Sequence, residues 1–466
     1  MTMSKSASGG VELFKRKKPV VDIRGAHLDL KGVPPTSERL LSLLDTFAAA
    51  RFNAVLVEWE DMFPWTVDTR FRCETAYTPE EVRAFAAKAK RQGIELIPLV
   101  QCLGHMETPL KFPEYAGMRE VPNQSDVLNP LAPGAGELIR KMIDDVLALL
   151  PETRLFHLGG DEAWSFGTHP DTRAYIEKHG KGALYMKHVE PLLDHLAAQG
   201  MRPILWHDMM IEWDDASLDN LGRKADLCVW GYGESPLTTK HHFSVKHIER
   251  FKEHGVAMWG GTAYKGADGS DSELPNVPRR LENVDAWTQV AARYGMRGVF
   301  ATAWSRYSTM NVQTEPIDAA LDSLMLTGAT LYNGKIPKDA AATGEAMLRE
   351  CGEWERFAAC RGVMAELASQ KSMGWENARL IRLNLAEATI DPSRCDKTTV
   401  RKFMSYLKGH IGKMEKIAGE IAGAFKGLIP ALWLERYTAE RILPLKEAMK
   451  ELEPRVGTPP PEAHPM

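Results

Sequence analysis

Between residues 20 and 304 the chain repeats one pattern: a short run of apolar, largely β-branched residues, a polar loop, an amphipathic stretch, a glycine, and the next apolar run. The apolar runs at 20–30, 53–60, 94–101, 154–161, 203–208, 226–232, 256–264 and 298–304 predict eight strands. Stretches at 37–51, 79–92, 136–150, 183–199, 244–254 and 279–294 carry helical periodicity and fall between most of them. Gly93, Gly200, Gly255 and Gly295 each stand where a helix needs a left-handed residue to stop. Thr78-Pro79-Glu80-Glu81 supplies an N-cap, a proline at the first helical position and early acids. This repetition predicts an α/β fold, a (β/α)8 TIM barrel. A doubly wound open sheet would favour a Gly-rich phosphate loop after its first strand, and Arg24-Gly25-Ala26-His27-Leu28-Asp29 is none.

After Gly334 the strand-like runs stop. Helical patterns at 338–370, 375–388, 398–425 and 430–452 predict a C-terminal all-helical domain. The expected organisation is a flexible N-terminal arm over 1–18, a barrel over 19–335, a helical domain over 336–453 and a disordered Pro-rich tail over 454–466. The size and periodicity of the helical domain suit packing on the barrel or a homodimer interface.

Composition narrows the partners. Apolar residues make up 44% and charged residues 26%, with a net charge of −4, which is ordinary for a globular protein and gives no reason to expect nucleic acid or an anionic membrane. No apolar stretch approaches the roughly 20 residues of a membrane span, and the first 18 residues lack the apolar core of a secretory signal. Cys73, Cys102, Cys228, Cys351, Cys360 and Cys395 are scattered without a C-x-x-C pair. They suit reduced thiols in a cytoplasmic protein better than a disulfide framework or a zinc site.

The chemistry gathers at the predicted strand ends, where barrels place it. The fourth run breaks into His157-Leu158-Gly159-Gly160-Asp161-Glu162, two glycines followed by adjacent carboxylates. Regular strand geometry would point consecutive acids apart, so they serve one substrate only from a turn, which the glycines allow. Other strand ends hold Arg24, His27 and Asp29; Glu58, Trp59, Glu60 and Asp61; Gln101 and His105; Trp164; Trp206, His207 and Asp208; Trp230 and Tyr232; Trp259 and Tyr264; Trp304, Arg306 and Tyr307. Tryptophans around paired carboxylates suit sugar recognition, aromatic faces stacking on pyranose C–H faces. Two chemistries compete: acid–base cleavage of a glycosidic bond, and metal-assisted hydrolysis with His27, Asp29, His157 and His207 among the ligands. The tryptophans favour the first.

On the motif at 157–162 the chain resembles the family 20 glycoside hydrolases, the β-N-acetylhexosaminidases, whose signature is His-x-Gly-Gly-Asp-Glu. Trp59-Glu60-Asp61-Met62-Phe63-Pro64, Gly104-His105-Met106-Glu107 and Ala263-Tyr264-Lys265-Gly266-Ala267 look most like its hexosaminidase D branch. The resemblance spans about residues 20–334. It implies exo-acting, retaining release of terminal β-linked GlcNAc or GalNAc by substrate-assisted catalysis, without cofactor or metal. It implies Glu162 as general acid and base, and Asp161 as the partner of the substrate's acetamide. It further implies sugar contacts from Arg24, an N-acetyl pocket walled by Trp206, Trp230 and Trp304, an acetamide bond from Tyr264, and a link from His105 to the general acid. The implied substrate is an amino-sugar glycoconjugate or oligosaccharide. Three features depart from the family pattern. Plain alternation puts Arg24 and Asp29 on opposite faces of the first strand, so either Gly25 marks a bulge or only one of them lines the pocket. Gln101 stands where an acid usually precedes the histidine, and Trp304-Ser305-Arg306 replaces Trp-x-Glu. Glu315 is expected to supply that missing acid. A non-catalytic sugar-binding barrel is the remaining alternative, disfavoured because both signature acids are present.

Overall fold

The computed structural model describes Phe14 and residues 16–270, 272–308, 311–394 and 396–456. Eight parallel strands close into a barrel in sequence order: β1 (Ile23–Asp29), β2 (Ala54–Glu58), β3 (Glu95–Leu99), β4 (Leu155–His157), β5 (Arg202–Trp206), β6 (Asp226–Trp230), β7 (Met258–Lys265) and β8 (Gly298–Ala303), with β8 pairing back onto β1. Each is followed on the outside by a helix: α1 (Ser37–Ala49), α2 (Pro79–Arg91), α3 (Ala135–Leu149), α4 (Lys181–Ala198), α5 (Asp215–Lys224), α6 (Val245–Glu253), α7 (Val277–Tyr294) and α8 (Leu321–Asn333). The predicted strands are all present. β4 is shorter than the predicted 154–161 because Gly159 and Gly160 take positive φ (59° and 81°) and lead the chain out of the sheet.

Alternation along the strands sorts two apolar layers. Leu56, Leu99, Ile204, Trp206, Trp259 and Phe300 fill the barrel interior. Their neighbours Val55, Val57, Leu205, Leu227 and Val299 face the helices in a separate, larger core. The same alternation fixes which polar residues face inward, interrupted on β7 by a register shift between Ala263 and Lys265. On β1 the outward set is Ala26 and Leu28, which leaves His27 and Asp29 inside.

Beyond β8 a short hairpin, β9 (Arg306–Ser308) and β10 (Asn311–Gln313), was not expected from the sequence. Further on come α9 (Ala340–Glu350), α10 (Trp354–Ile390), α11 (Lys397–Ala424) and α12 (Ala431–Val456). The predicted 338–370 segment is divided at Gly352, which takes a left-handed φ of 75°. The predicted break near 371–374 is absent, and α10 runs unbroken for 37 residues. Gly374 is accommodated within it because Leu445 packs where its side chain would be, 3.0 Å from a built Cβ. Leu367, Leu407, Met414, Ile421 and Leu445 form a second core that reaches the barrel at Val33 and Ala319. Helix α12 continues through Pro454 to Val456, where a disordered tail was expected; the rest of that tail lies outside the described residues. So does most of the N-terminal arm, although Phe14 packs edge-on against Tyr332. Among the described residues no helix is long and apolar enough to cross a membrane.

Candidate active site

The turn after β4 is built from three close approaches. The Gly159 N–H donates to His157 Nδ1 (2.9 Å), the Tyr185 hydroxyl donates to the Gly160 carbonyl (2.9 Å), and the Glu162 N–H donates to Asp208 Oδ2 (2.9 Å). A Cβ on Gly160 would fall 2.1 Å from that hydroxyl, and one on Gly104 would fall 2.0 Å from the Asp161 carbonyl oxygen. Only glycine fits at these positions. Glu162 and His105 themselves carry positive φ, 47° and 54°, each costing about 1–3 kcal/mol that the surrounding contacts must offset. The reward is geometric. The consecutive acids both reach one side chain: His105 Nε2 lies 3.4 Å from Glu162 Oε2 and 3.8 Å from Asp161 Oδ2.

These three residues open into a cavity of about 250 Å³ at the carboxyl end of the barrel, lined also by Lys31, Trp230, Tyr232, Gly266, Ala267, Gly269, Trp304 and Arg306. Trp230 and Tyr232 stack at 5.3 Å, and the Trp230 indole N–H donates to Asp208 Oδ1 at 3.1 Å. Asp208 therefore ties the backbone of the acid turn to one aromatic wall. Beneath the cavity, Glu58 accepts from Lys31 Nζ (2.5 Å) and Gln101 Nε2 (2.9 Å) and sits 3.4 Å from His27. Gln101 thus bonds a carboxylate on the neighbouring strand and also takes the Gly160 N–H at 3.4 Å.

Burial and charge set the protonation pattern. Burial alone would depress His105, but the charge of Asp161 and the hydrogen bond to Glu162 push its pKa up to about 10. Asp161 is shifted upward by burial first and by the Asp208 and Glu162 charges next, with His105 opposing. Burial also opposes ionisation of Glu58, yet Lys31 and His27 hold it well below the usual carboxylate range. His157, fully buried, is held down to about 3 by desolvation and stays neutral.

Several expected site residues lie elsewhere. Arg24 shares the outward parity of Ala26 and Leu28 and sits near the amino end of β1. Its guanidinium donates to the carbonyls of Arg51, Val21 and Asp22 (2.7–2.9 Å), away from the cavity. Tyr264 shares the outward-facing core with Met258 on β7, and its hydroxyl donates to the His27 carbonyl at 3.3 Å rather than lining the pocket. Trp206 is fully buried in the barrel, below the pocket, tilted against His157 at 4.3 Å. Trp259 stands near the amino end of β7, stacked on Phe300. Glu315 is buried behind the wall, accepting the Gly266 N–H at 2.9 Å, and does not line the cavity. Trp230, Trp304 and His105 do line it.

The residues of the metal alternative are not brought together. His27 Nδ1 accepts from the Ala303 N–H, Asp29 accepts from Ser305 and Lys31, His157 accepts from Gly159, and His207 bonds the His242 carbonyl. Among the described residues, the ligand-type atoms that do converge, within 4.8 Å of one another, belong to His105, Asp161 and Glu162. Of the pocket residues, Lys31 was missed outright, and Tyr232 and Arg306 were seen only as strand-end residues without a role; Asp208, considered as a metal ligand, instead ties the acid turn to Trp230 behind the wall. A signal was available. Carrying the two-residue alternation past the strand ends leads from Asp29 to Lys31, from Trp206 to Asp208, from Trp230 to Tyr232 and from Trp304 to Arg306.

Fold and site together define a (β/α)8 barrel whose cluster of titratable groups opens at the carboxyl ends of the strands, where such barrels place their chemistry. The family description "Glycosyl hydrolase family 20, catalytic domain" matches residues 22–241. Hexosaminidase D of Bos taurus is 32% identical over 337 residues, 70% of this chain and 96% of that protein. The Homo sapiens protein of the same name is 31% identical over the same share of this chain and 69% of its own length. In structure, the Flavobacterium johnsoniae chitobiase superposes with a TM-score of 0.56 at 15% identity, over 94% of this chain and 72% of that one. The chain belongs to glycosyl hydrolase family 20, in its hexosaminidase D branch.

Proposed function

We propose that this glycoside hydrolase is an exo-acting, retaining β-N-acetylhexosaminidase in which Glu162 and Asp161 divide the work. The observation that carries the reading is the convergence of two consecutive acids on one small pocket, both within reach of His105. The acetamido oxygen of the substrate attacks the anomeric carbon as the glycosidic C–O bond breaks, and Glu162 donates its proton to the leaving oxygen. Asp161 accepts the acetamide N–H and offsets the positive charge of the oxazolinium ion. Glu162, now a carboxylate, takes a proton from water as that water opens the ring, so the anomeric configuration is retained. The charge of His105, 3.4 Å away, restrains Glu162 once it is a carboxylate, and Trp230, Tyr232 and Trp304 wall the sugar. A cavity of about 250 Å³ suits a single terminal sugar.

The test is a panel of aryl β-glycosides with and without chelator. Hydrolysis of the N-acetylglucosaminide and N-acetylgalactosaminide is expected, with negligible turnover of the glucoside and galactoside, which lack the internal nucleophile. Comparable rates on all four would eliminate substrate assistance, and loss of activity to the chelator would favour a metal at His105, Asp161 and Glu162 instead. A homodimer through the helical region is supported by exposed Met373, Leu383, Ile390, Tyr406 and Leu443, all on α10, α11 and α12; light scattering across concentration tests it. The free thiols of Cys73, Cys102, Cys228, Cys351 and Cys360 support a reducing, cytoplasmic setting.

A further inference from the structure

The wall of the pocket is anchored on the helical region of the same chain. Glu273 lies in the loop from β7 to α7, a few residues after pocket-lining Gly266, Ala267 and Gly269. Its carboxylate is fully buried and accepts from Lys371 Nζ on α10 (2.6 Å), from Arg441 Nε on α12 (3.0 Å to each oxygen) and from the Tyr437 hydroxyl. The same Arg441 guanidinium donates to the carbonyl of Gln313 on β10, and the adjacent Glu440 takes the Gln313 N–H at 2.9 Å. Gln313 in turn accepts the Val33 N–H at 3.0 Å, two residues after Lys31. Four residues before Tyr437, Trp433 lies under the guanidinium of Arg306 at 5.4 Å and donates to Thr75 at 2.7 Å.

Trp433, Tyr437 and Arg441 recur every four residues and so share one face of α12. That face meets the β7 loop, the hairpin after β8 and the loop after β2. We propose that Arg441, with Glu440 and Trp433 beside it, is a positioning residue for substrate binding. It locks the two segments that carry the Gly266 and Arg306 sides of the wall, so the helical region completes the pocket of its own chain. The binding readout rests on the activity proposed above; the anchoring itself does not.

The experiment compares Arg441→Met, Glu440→Ala and Leu407→Ala with wild type. Leu407 is buried in the second core away from the pocket, so its truncation lowers stability without touching the anchor. Kinetics on an aryl β-N-acetylglucosaminide and amide hydrogen exchange are measured below each variant's melting temperature. Arg441→Met is expected to raise KM about tenfold with kcat changed less than about twofold, and to speed exchange about tenfold in 266–276 and 306–314 while the barrel strands keep wild-type protection. Glu440→Ala is expected to do the same more weakly, in 306–314 alone. Leu407→Ala is expected to leave KM and both segments unchanged. Wild-type KM and exchange in a folded Arg441→Met, or an equal KM rise in Leu407→Ala, would overturn the proposal. If Arg441→Met does not fold, Glu440→Ala decides by the same two readings. Wild-type protein inactive on the glycoside would refute the proposed activity, while the exchange data would still decide the anchoring.

Discussion

The barrel buries an aspartate at each end and holds the two in opposite ways. At the amino ends of the strands, Asp226 on β6 is fully buried and takes Arg202 Nε at 2.8 Å, Arg297 Nε at 2.9 Å and the Trp259 indole at 3.0 Å. Both of its oxygens are satisfied by neighbours already in place. At the carboxyl ends, Asp161 is nearly as buried, yet its Oδ1 has no hydrogen-bond partner, and it sits on a turn strained at Glu162. A buried carboxylate with all its partners supports the fold. Other buried carboxylates, Glu315 and Asp318 among them, also keep an oxygen without a partner; what sets Asp161 apart is that it lines the cavity, within reach of a ligand's donor. Size alone would choose the wrong end. The larger groove, about 920 Å³, lies at the amino side between α2 and α3, lined by Arg83, Lys90, Leu149 and Arg154. Its buried chemistry is sparse, and its Arg154 is already paired to Glu95 at 3.1 Å.

Substitution at the two ends should separate activity from stability. Glu162→Gln is expected to slow hydrolysis of substrates with poor leaving groups by ~10²–10⁴-fold, and aryl substrates with good leaving groups much less. Asp161→Asn is expected to lose ~10²–10³-fold on both kinds, with the melting temperature little changed because it removes both a buried charge and that charge's pairing with His105. Asp226→Asn is expected to do the reverse, losing about 3–5 kcal/mol of stability at near-normal kcat and KM. Steady-state kinetics and thermal melts on the three variants check this. Wild-type turnover in Asp161→Asn would remove the role given to it.

The two cations of β1 and its extension sharpen the contrast. Lys31→Met is expected to raise KM about tenfold and to destabilise, since Glu58 and Asp29 lose their counter-charge. Arg24→Met is expected to cost about 1–3 kcal/mol through lost hydrogen bonds and to leave KM alone. A KM rise in Arg24→Met would restore it to the pocket.

The smallest effect concerns pH. The His105 pKa is raised from 6.5 to about 10. A raised folded-state pKa adds stability in full below the unfolded value and loses it as pH climbs through the folded one. His105→Gln should therefore lower the melting temperature most near pH 6 and progressively less toward pH 10. An equal deficit at both ends of that range would mean that the pocket holds a neutral imidazole.

Much of this was legible along the chain. The eight apolar runs and their glycine stops are local signals, and each became a strand. The acid pair was legible because two glycines before two carboxylates is a backbone statement, readable without neighbours. Arg24 and Tyr264 were misassigned for one shared reason. Motif position placed them near the site, whereas their side chains turn outward, Arg24 from the wrong end as well; for Arg24 the alternation against Asp29 already showed the conflict, and Asp29 is the one that faces inward. Lys31 was overlooked because it lies beyond the last residue of β1, although it keeps the inward parity of His27 and Asp29.

The sequence by itself determined the barrel, the parity of each strand and the turn that presents Asp161 and Glu162, because helix stops, alternation and left-handed glycines depend on nearest neighbours. The tertiary structure decided which polar groups share a pocket. Glu58 reaches Lys31 and Gln101 only when three strands lie side by side. Arg441 meets Glu273 across 168 residues, and Trp433 meets Arg306, only because α12 folds back over the barrel. Such contacts depend on how closed layers stack, and no local pattern encodes which distant residue arrives.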